Sequence, residues 1–249
     1  MIKFFRKIRQ RLVTKNLPTG TGRAGKFSKY LIYAIGEIIL VVLGILIALQ
    51  INNWNEDRKI FEDLDLIRQS LFSELNKDIE SINNELDLLN KDIAKLENYF
   101  QRISSPLVNK DSLVNIYNIE FNPIIYGAIK FNNSTINTLK ASGYLSKLEK
   151  SMQEDLFKIL EMKENYFTVH SDIANYVDVL TLNGNKFPRS IEPLEKNSVL
   201  NKSIWKKVDF EELGGYMNNV FGVKYITSKS ARESLQRINT ASLNLTQKL

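Results

Sequence analysis

Between Lys29 and Glu56 the chain carries one charged side chain, Glu37, and from Tyr30 to Ile51 it reads YLIYAIGEIILVVLGILIALQI. As a helix at ~1.5 Å per residue this stretch covers ~33 Å, enough to cross a hydrocarbon core ~30 Å thick. Its apolar core is too long for a secretory signal and no small-x-small cleavage site follows, so it is expected to remain as an uncleaved anchor.

Charge placement sets the expected topology. Residues 1–29 hold nine of the 34 lysines and arginines and no acid, which leaves 25 cations against 28 acids in the rest of the chain. That remainder has no electrostatic footprint for a phosphate backbone, so nucleic acid is not an expected partner. Asn52–Asp65 carries five acids against Arg58 and Lys59. The positive-inside rule then places the N-terminus in the cytoplasm and the C-terminal part across the membrane. Three segments are expected: 1–29 as a cytoplasmic basic segment and linker, 30–51 as the membrane span, and 52–249 as an extracytoplasmic helical bundle.

The opening MIKFFRKIRQRLV spaces Ile2, Phe5, Ile8 and Leu12 as a helix face, with Lys3, Arg6, Lys7, Arg9 and Arg11 between them. The first reading is an interfacial helix whose five cations contact anionic lipid; the other is a solvated tail. NLPTGTGRAGKFSKY reads as a linker. Its Gly20–Lys26 has the G-x-x-x-x-G-K spacing of a phosphate-binding loop, but Phe27 stands where Ser or Thr is needed and no strand precedes it, so nucleotide binding is set aside.

Inside the span, Glu37, Val41, Gly44, Ala48 and Ile51 share one face, and Gly44 with Ala48 forms a small-xxx-small pair that lets two helices approach closely. A homo-oligomer or another membrane protein is the expected partner on that face. Glu37 has three readings: an interhelical hydrogen bond, snorkelling toward the basic side, or part of an ion or proton pathway. Trp54 is placed to anchor at the headgroup level.

KYLIYAIGEIILVVLGILIALQINNWNE, the opening MIKFFRKIRQRL and, more loosely, NNSTINTLKASGYLSKL (Asn132–Leu148) resemble a family of uncharacterised single-pass inner-membrane proteins of Bacteroidota-type bacteria. The resemblance implies an envelope location, with the C-terminal part periplasmic, and implies no activity and no catalytic residue.

Beyond the span, Leu75, Ile79, Ile82, Leu86, Leu89, Ile93, Leu96, Phe100 and Ile103 recur at alternating fours and threes, the pattern of a coiled-coil or bundle seam. Unbroken from Lys29, this rod would run ~110 Å before Ser104-Ser105-Pro106 end it. The seam fits either a bundle within the chain or a contact between identical chains. Residues 106–133 give no clear pattern. Ser134 is expected to cap a short helix closed by Ser142-Gly143, and Ser146 with Glu149 to form a capping box. Leu148, Met152, Leu156, Leu160, Phe167, Ile173, Val177 and Leu180 then line a long helix ending at Asn183-Gly184-Asn185. Residues 185–207 read as a connection, and Phe210–Leu249 as a last helix weakened by Gly214, Gly215 and Gly222, whose Ala231, Leu235, Ile238, Ser242 and Leu245 close the bundle. The expected fold is all-α: a single N-terminal transmembrane helix continuing into a long helix, followed by an antiparallel helical bundle.

Site templates find little purchase. The absence of cysteine excludes thiolate chemistry and disulfides, and with one histidine, His170, no metal-ligand set can be assembled around it, so His170 reads as a packed side chain. No HExxH, GxSxG or calcium loop occurs. No catalytic, metal or cofactor residue is nominated. The expected role is a non-enzymatic structural or interaction protein, a scaffold or accessory subunit of an envelope complex; the alternative is a ligand-sensing bundle that signals through a separate partner.

Overall fold

The computed structural model describes the backbone of residues 23–182, 187 and 198–249. All regular elements among them are helical: α1 (Arg23–Ile103), α2 (Lys110–Asn115) running into a π turn at Ile116–Glu120, α3 (Ser134–Ser142), a 3-10 turn at Tyr144–Lys147, α4 (Lys150–Leu182), α5 (Val199–Lys207) and α6 (Phe210–Thr246). The chain divides into two compact units between Glu62 and Asp63, eleven residues beyond the end of the expected span. The basic segment Lys3–Arg11, the expected turn at Asn183–Asn185 and most of the 185–207 connection lie outside the described residues.

α1 is one helix of 81 residues. It starts at Arg23 and so takes in the end of the expected linker: Ala24, Lys26, Phe27 and Lys29 are compatible with a helix, and one interior glycine, Gly25, costs only about 1 kcal/mol. Its end is where Ser104-Ser105-Pro106 place it. In the first unit the apolar side chains from Tyr30 to Ile51 are uncovered all round, Ile38 at 62% and Ile51 at 60% exposure. Among the described residues this is the one helix long and apolar enough to cross a membrane.

In the second unit the burial of α1 switches to the heptad seam. Leu75, Ile79, Ile82, Leu89, Ile93 and Leu96 are buried, while Leu86, Phe100 and Ile103 are partly covered. Ile82 and Leu89 pack with Tyr166 of α4 and Ala231, Leu235 and Ile238 of α6. The seam is therefore filled from within the chain. Further along, Leu96 and Tyr99 join Leu113, Ile116, Tyr117 and Phe121 and the α6 residues Leu213, Met217 and Phe221.

Helix directions follow from the side-chain pairings. Tyr144 reaches Asp63 and Lys163 reaches Asp78, so α4 rises alongside α1 in the same direction. Asn83 meets Asn239 and Asp92 meets Lys224, so α6 runs antiparallel to α1, and Lys248 on Asp155 makes it antiparallel to α4 as well. A parallel pair of neighbours needs a return connection, and residues 104–149 supply it.

Several local expectations change. Asn133, not Ser134, is the N-cap of α3, and Ser134 Oγ is turned to Glu74 of α1. Gly143 does close α3 in the left-handed conformation, φ +74°. The Ser146–Glu149 capping box does not form, because Ser146 Oγ donates to the Gly143 carbonyl within the 3-10 turn. On α4, Phe167 is 66% exposed, and Ile159, Lys163, Tyr166 and His170 take the inward face with Met152, Leu156 and Leu160. The apolar stripe is misleading there because a lysine occupies the core position. α5 lies inside the expected connection, started by Ser198, whose side chain accepts from the Asn201 N–H, and pinned by buried Trp205. α6 is continuous through its three glycines, and all five residues expected to close the bundle are buried.

The seam register sets a contrast between neighbours. Leu89→Ala empties a fully buried site and is expected to cost about 2–5 kcal/mol, whereas Leu88→Ala, at 41% exposure, is expected to stay within about 0.5 kcal/mol. Thermal or denaturant unfolding of the two variants checks the register, and equal losses would refute it.

Candidate functional site

One position before the seam residues Ile79, Leu86, Ile93 and Phe100 stand Asp78, Glu85, Asp92 and Tyr99, a second row repeating every seven residues. This row holds the return segment, which between Phe121 and Asn133 has no regular structure of its own. Such a segment must find partners elsewhere for its buried backbone groups. Tyr99 OH donates to the Glu120 carbonyl at 2.8 Å, the Gly127 N–H donates to Glu85, and the Asn132 N–H donates to Asp78 at 3.2 Å. At the far end, Glu74 accepts from Ser134 Oγ and the Thr135 N–H, both at 2.9 Å. A carboxylate there meets the unpaired N–H groups at the start of α3. The segment thus descends α1 rung by rung, while Arg102 grips Glu120 at its top and, through that hydrogen bond, holds the Glu120 carboxyl below the usual range.

Two buried lysines complete the row. Lys163 lies 2.6 Å from Asp78 and over the Phe131 ring at 5.2 Å. Lys224 lies 2.7 Å from Asp92, donates to the Asn122 carbonyl at 2.6 Å, and faces the rings of Phe121 and Tyr126. Ser228 Oγ adds a bond to Asp92 at 3.1 Å. Both lysine side chains are 1% exposed. Desolvating such a pair offsets most of its attraction, so it adds little net stability, but removing one partner strands the other charge.

Gly127 is the tightest point of the segment. Its φ is +109°, and a Cβ there would fall 2.6 Å from Tyr166 Oη and 2.7 Å from His170 Cε1. Both a left-handed backbone and the absence of a side chain are required. Tyr166 OH donates to the Gly127 carbonyl, and burial pushes this hydroxyl far above its ordinary pKa. The His170 ring stacks on Tyr166 with centroids 5.4 Å apart and planes within 9°. Burial lowers the His170 pKa from its ordinary 6.5, opposed in part by the nearby Glu85 charge.

Beside this point a cleft of about 300 Å³ opens between α4 and α6. Met162, Tyr166, Val169 and His170 face it from α4; Ser230, Ala231, Ser234 and Arg237 face it from α6. Among the described residues no group of three or more histidines and carboxylates is placed to hold a metal ion.

The residues expected at the membrane belong to the first unit. Glu37, Val41, Gly44, Ala48 and Ile51 are all exposed on α1, and a Cβ built on Gly44 meets nothing within 4 Å, so the face is open in the single chain. Trp54 is 66% exposed. Lys3, Arg6, Lys7, Arg9 and Arg11 lie outside the described residues. His170 is packed, as expected. Nothing in the sequence pattern singles out Lys163, Lys224 or Gly127, or the acid row as a buried one. Their one sequence signal is the seven-residue repeat of Asp78, Glu85 and Asp92 beside the seam, where such acids ordinarily read as a solvated flank.

No family model matches this chain, and no curated protein or solved structure matches it either.

Two outcomes follow from the geometry. Asp92→Ala is expected to destabilise by about 3–5 kcal/mol by stranding the Lys224 ammonium, and Asp92→Leu with Lys224→Met to recover much of that loss; a double variant as unstable as the single one would refute the pairing. For His170, the unfolded state binds its proton at a higher pH than the folded state. Stability is then complete above pH ~6.5 and falls as the pH is lowered through the depressed folded value. Between pH 7.5 and 5 the melting temperature of the wild type should drop more steeply than that of His170→Gln, and parallel slopes would exclude this contribution.

Proposed function

We propose that this chain is a membrane-anchored, non-enzymatic structural or interaction protein, acting as a scaffold or accessory subunit of a complex in the bacterial envelope. One observation carries the reading. In the second unit the apolar seam of α1 is covered by the chain itself, whereas from Tyr30 to Ile51 nearly all the apolar side chains of the same helix are exposed. In water that surface would be prohibitive, so it belongs in lipid or against other membrane helices. The nine cations ahead of it and the acids behind it favour a cytoplasmic N-terminus and a periplasmic helical domain, with anionic lipid around the basic segment. The resemblance of Lys29–Glu56 to single-pass envelope proteins supports the inner membrane as the location. Within the span, the open face of Glu37, Gly44 and Ala48 is where an identical chain or another membrane helix would seat.

Extraction of the full chain in mild detergent, with mass measurement and identification of co-purifying proteins, tests the role. A defined oligomer or complex is expected, and Gly44→Ile should reduce self-association by about tenfold or more by separating the backbones. A wild-type monomer without partners would overturn the scaffold reading. An unchanged mass for Gly44→Ile would remove this face from it. A C-terminal reporter active only in the cytoplasm would reverse the topology.

A further inference from the structure

We propose that the outward face of α5 docks on an anionic phospholipid bilayer, a second one besides the bilayer that holds the span.

α5 (Val199–Lys207) turns only Asn201 and Trp205 inward, and its other seven residues are exposed. Two of the seven are large apolar side chains in the first turn, Val199 at 86% and Leu200 at 71% exposure. Three are lysines, Lys202, Lys206 and Lys207, and no acid lies on the helix. At ~100° per residue, Val199, Ser203 and Lys207 stand opposite the buried pair, with Leu200 and Lys206 flanking them. Lys110 Nζ donates to the Lys206 carbonyl at 2.8 Å, which brings the start of α2 and a fourth cation against the end of α5. Three residues before Lys110, Leu107 is 87% exposed.

The acids of this end stand on the neighbouring helices: Asp111 in the first turn of α2, and Asp209, Glu211 and Glu212 at the start of α6. Unpaired N–H groups at a helix N-terminus offset such charges, and Asp209 accepts from the Glu212 N–H at 2.8 Å. The lysines of α5 are left to face outward. Exposed apolar side chains beside lysines describe a helix that lies on a bilayer, where the apolar groups enter the acyl boundary and the ammonium groups meet lipid phosphate. A protein partner fits this face less well. Protein interfaces favour aromatic residues and arginine and are depleted in lysine, whereas the α5 surface offers lysine and neither of the others. Single-stranded nucleic acid would call for exposed aromatic rings on which bases stack, and α5 buries its one ring, Trp205.

The place of α5 in the second unit favours a second bilayer. Trp205 and Val208 pack with Leu96, Tyr99 and Leu113, near the end of α1. α1 enters this unit at Asp63 and ends at Ile103, ~60 Å further along the helix. Within the unit, α5 therefore stands at the far end of α1 from the point where the chain enters.

The chain has no cysteine, so one introduced by Ser203→Cys carries a nitrobenzoxadiazole probe on the α5 face alone. Gln236→Cys, exposed on α6, carries the probe in a second preparation. The full chain is held in nanodiscs of phosphatidylcholine and bears Lys3→Gln, Arg6→Gln, Lys7→Gln, Arg9→Gln and Arg11→Gln in every arm, so that the N-terminal segment does not capture the vesicles. It is titrated with vesicles of phosphatidylglycerol and phosphatidylcholine in equal parts, and with vesicles of phosphatidylcholine alone. Incorporation into nanodiscs tests the span and the vesicle titration tests α5, so the two readings fail separately. The probe at residue 203 should brighten and shift to the blue saturably with the anionic vesicles and not with the neutral ones, while the probe at 236 stays unchanged. Lys202→Gln, Lys206→Gln and Lys207→Gln should each weaken docking about fivefold, as the loss of one cation at an anionic surface does. Leu200→Ser should weaken it as well by removing an apolar group from the acyl boundary. All four positions are exposed, so each variant should keep the wild-type melting temperature. No saturable change at residue 203 with the anionic vesicles overturns the proposal. So does an equal response to neutral vesicles, an equal response at 236, or docking undiminished when the three lysines are replaced together.

Discussion

Everything in the second unit depends on the way α1 satisfies a stretch of backbone that forms no helix and no sheet. A bundle of long helices leaves its connections outside, where water completes their hydrogen bonds. Here residues 120–135 are laid along α1 instead, and Glu74, Asp78, Glu85 and Tyr99 take the place of water directly, with Asp92 acting through Lys224. Because Asp78, Glu85 and Asp92 recur every seven residues, they track the apolar seam beside them. One helix presents two adjacent stripes, one that excludes water and one that replaces it.

The energetic character of the two stripes differs. Leu75, Ile82 and Leu89 stabilise in proportion to the area they bury. The Asp78–Lys163 and Asp92–Lys224 pairs gain little over a well-packed apolar substitute, because desolvation cancels most of their attraction. What they supply is position: each lysine comes from a different helix, α4 or α6, and each pair admits one register of that helix against α1. Asp78 and Lys224 also anchor the return segment, so a slip of either helix would strand charges as well as misplace apolar groups.

Much of this architecture is legible in the sequence. The long apolar helix from Tyr30 to Ile51, the seam from Leu75 to Ile103, the stop at Ser104-Ser105-Pro106 and the closing face of α6 are periodic or punctuated, and those signals survive without tertiary context. The illegible parts are those where tertiary contacts override local preference. Ser134 resembles a cap, but Glu74, 60 residues away, claims its hydroxyl. Phe167 fits the apolar stripe of α4, yet Lys163 defines the inward face because Asp78 is there to receive it. Residues 121–133 carry no pattern because their partners belong to other helices. His170 reads correctly as packed, but the Tyr166 ring and Gly127 backbone it packs against show only when the surrounding residues are placed.

The sequence distance across these pairs constrains the order of assembly. Asp92 emerges from synthesis 132 residues before Lys224, and Asp78 precedes Lys163 by 85. Although the chain is helical, its decisive contacts are non-local, the condition associated with slow folding. Until α6 arrives, the acid stripe of α1 must remain hydrated and the return segment lacks the lysine that fixes Asn122. α6 is thus the helix that completes the second unit, and the stripe of α1 that ends with its charges buried is the one that stays open to water until α6 docks.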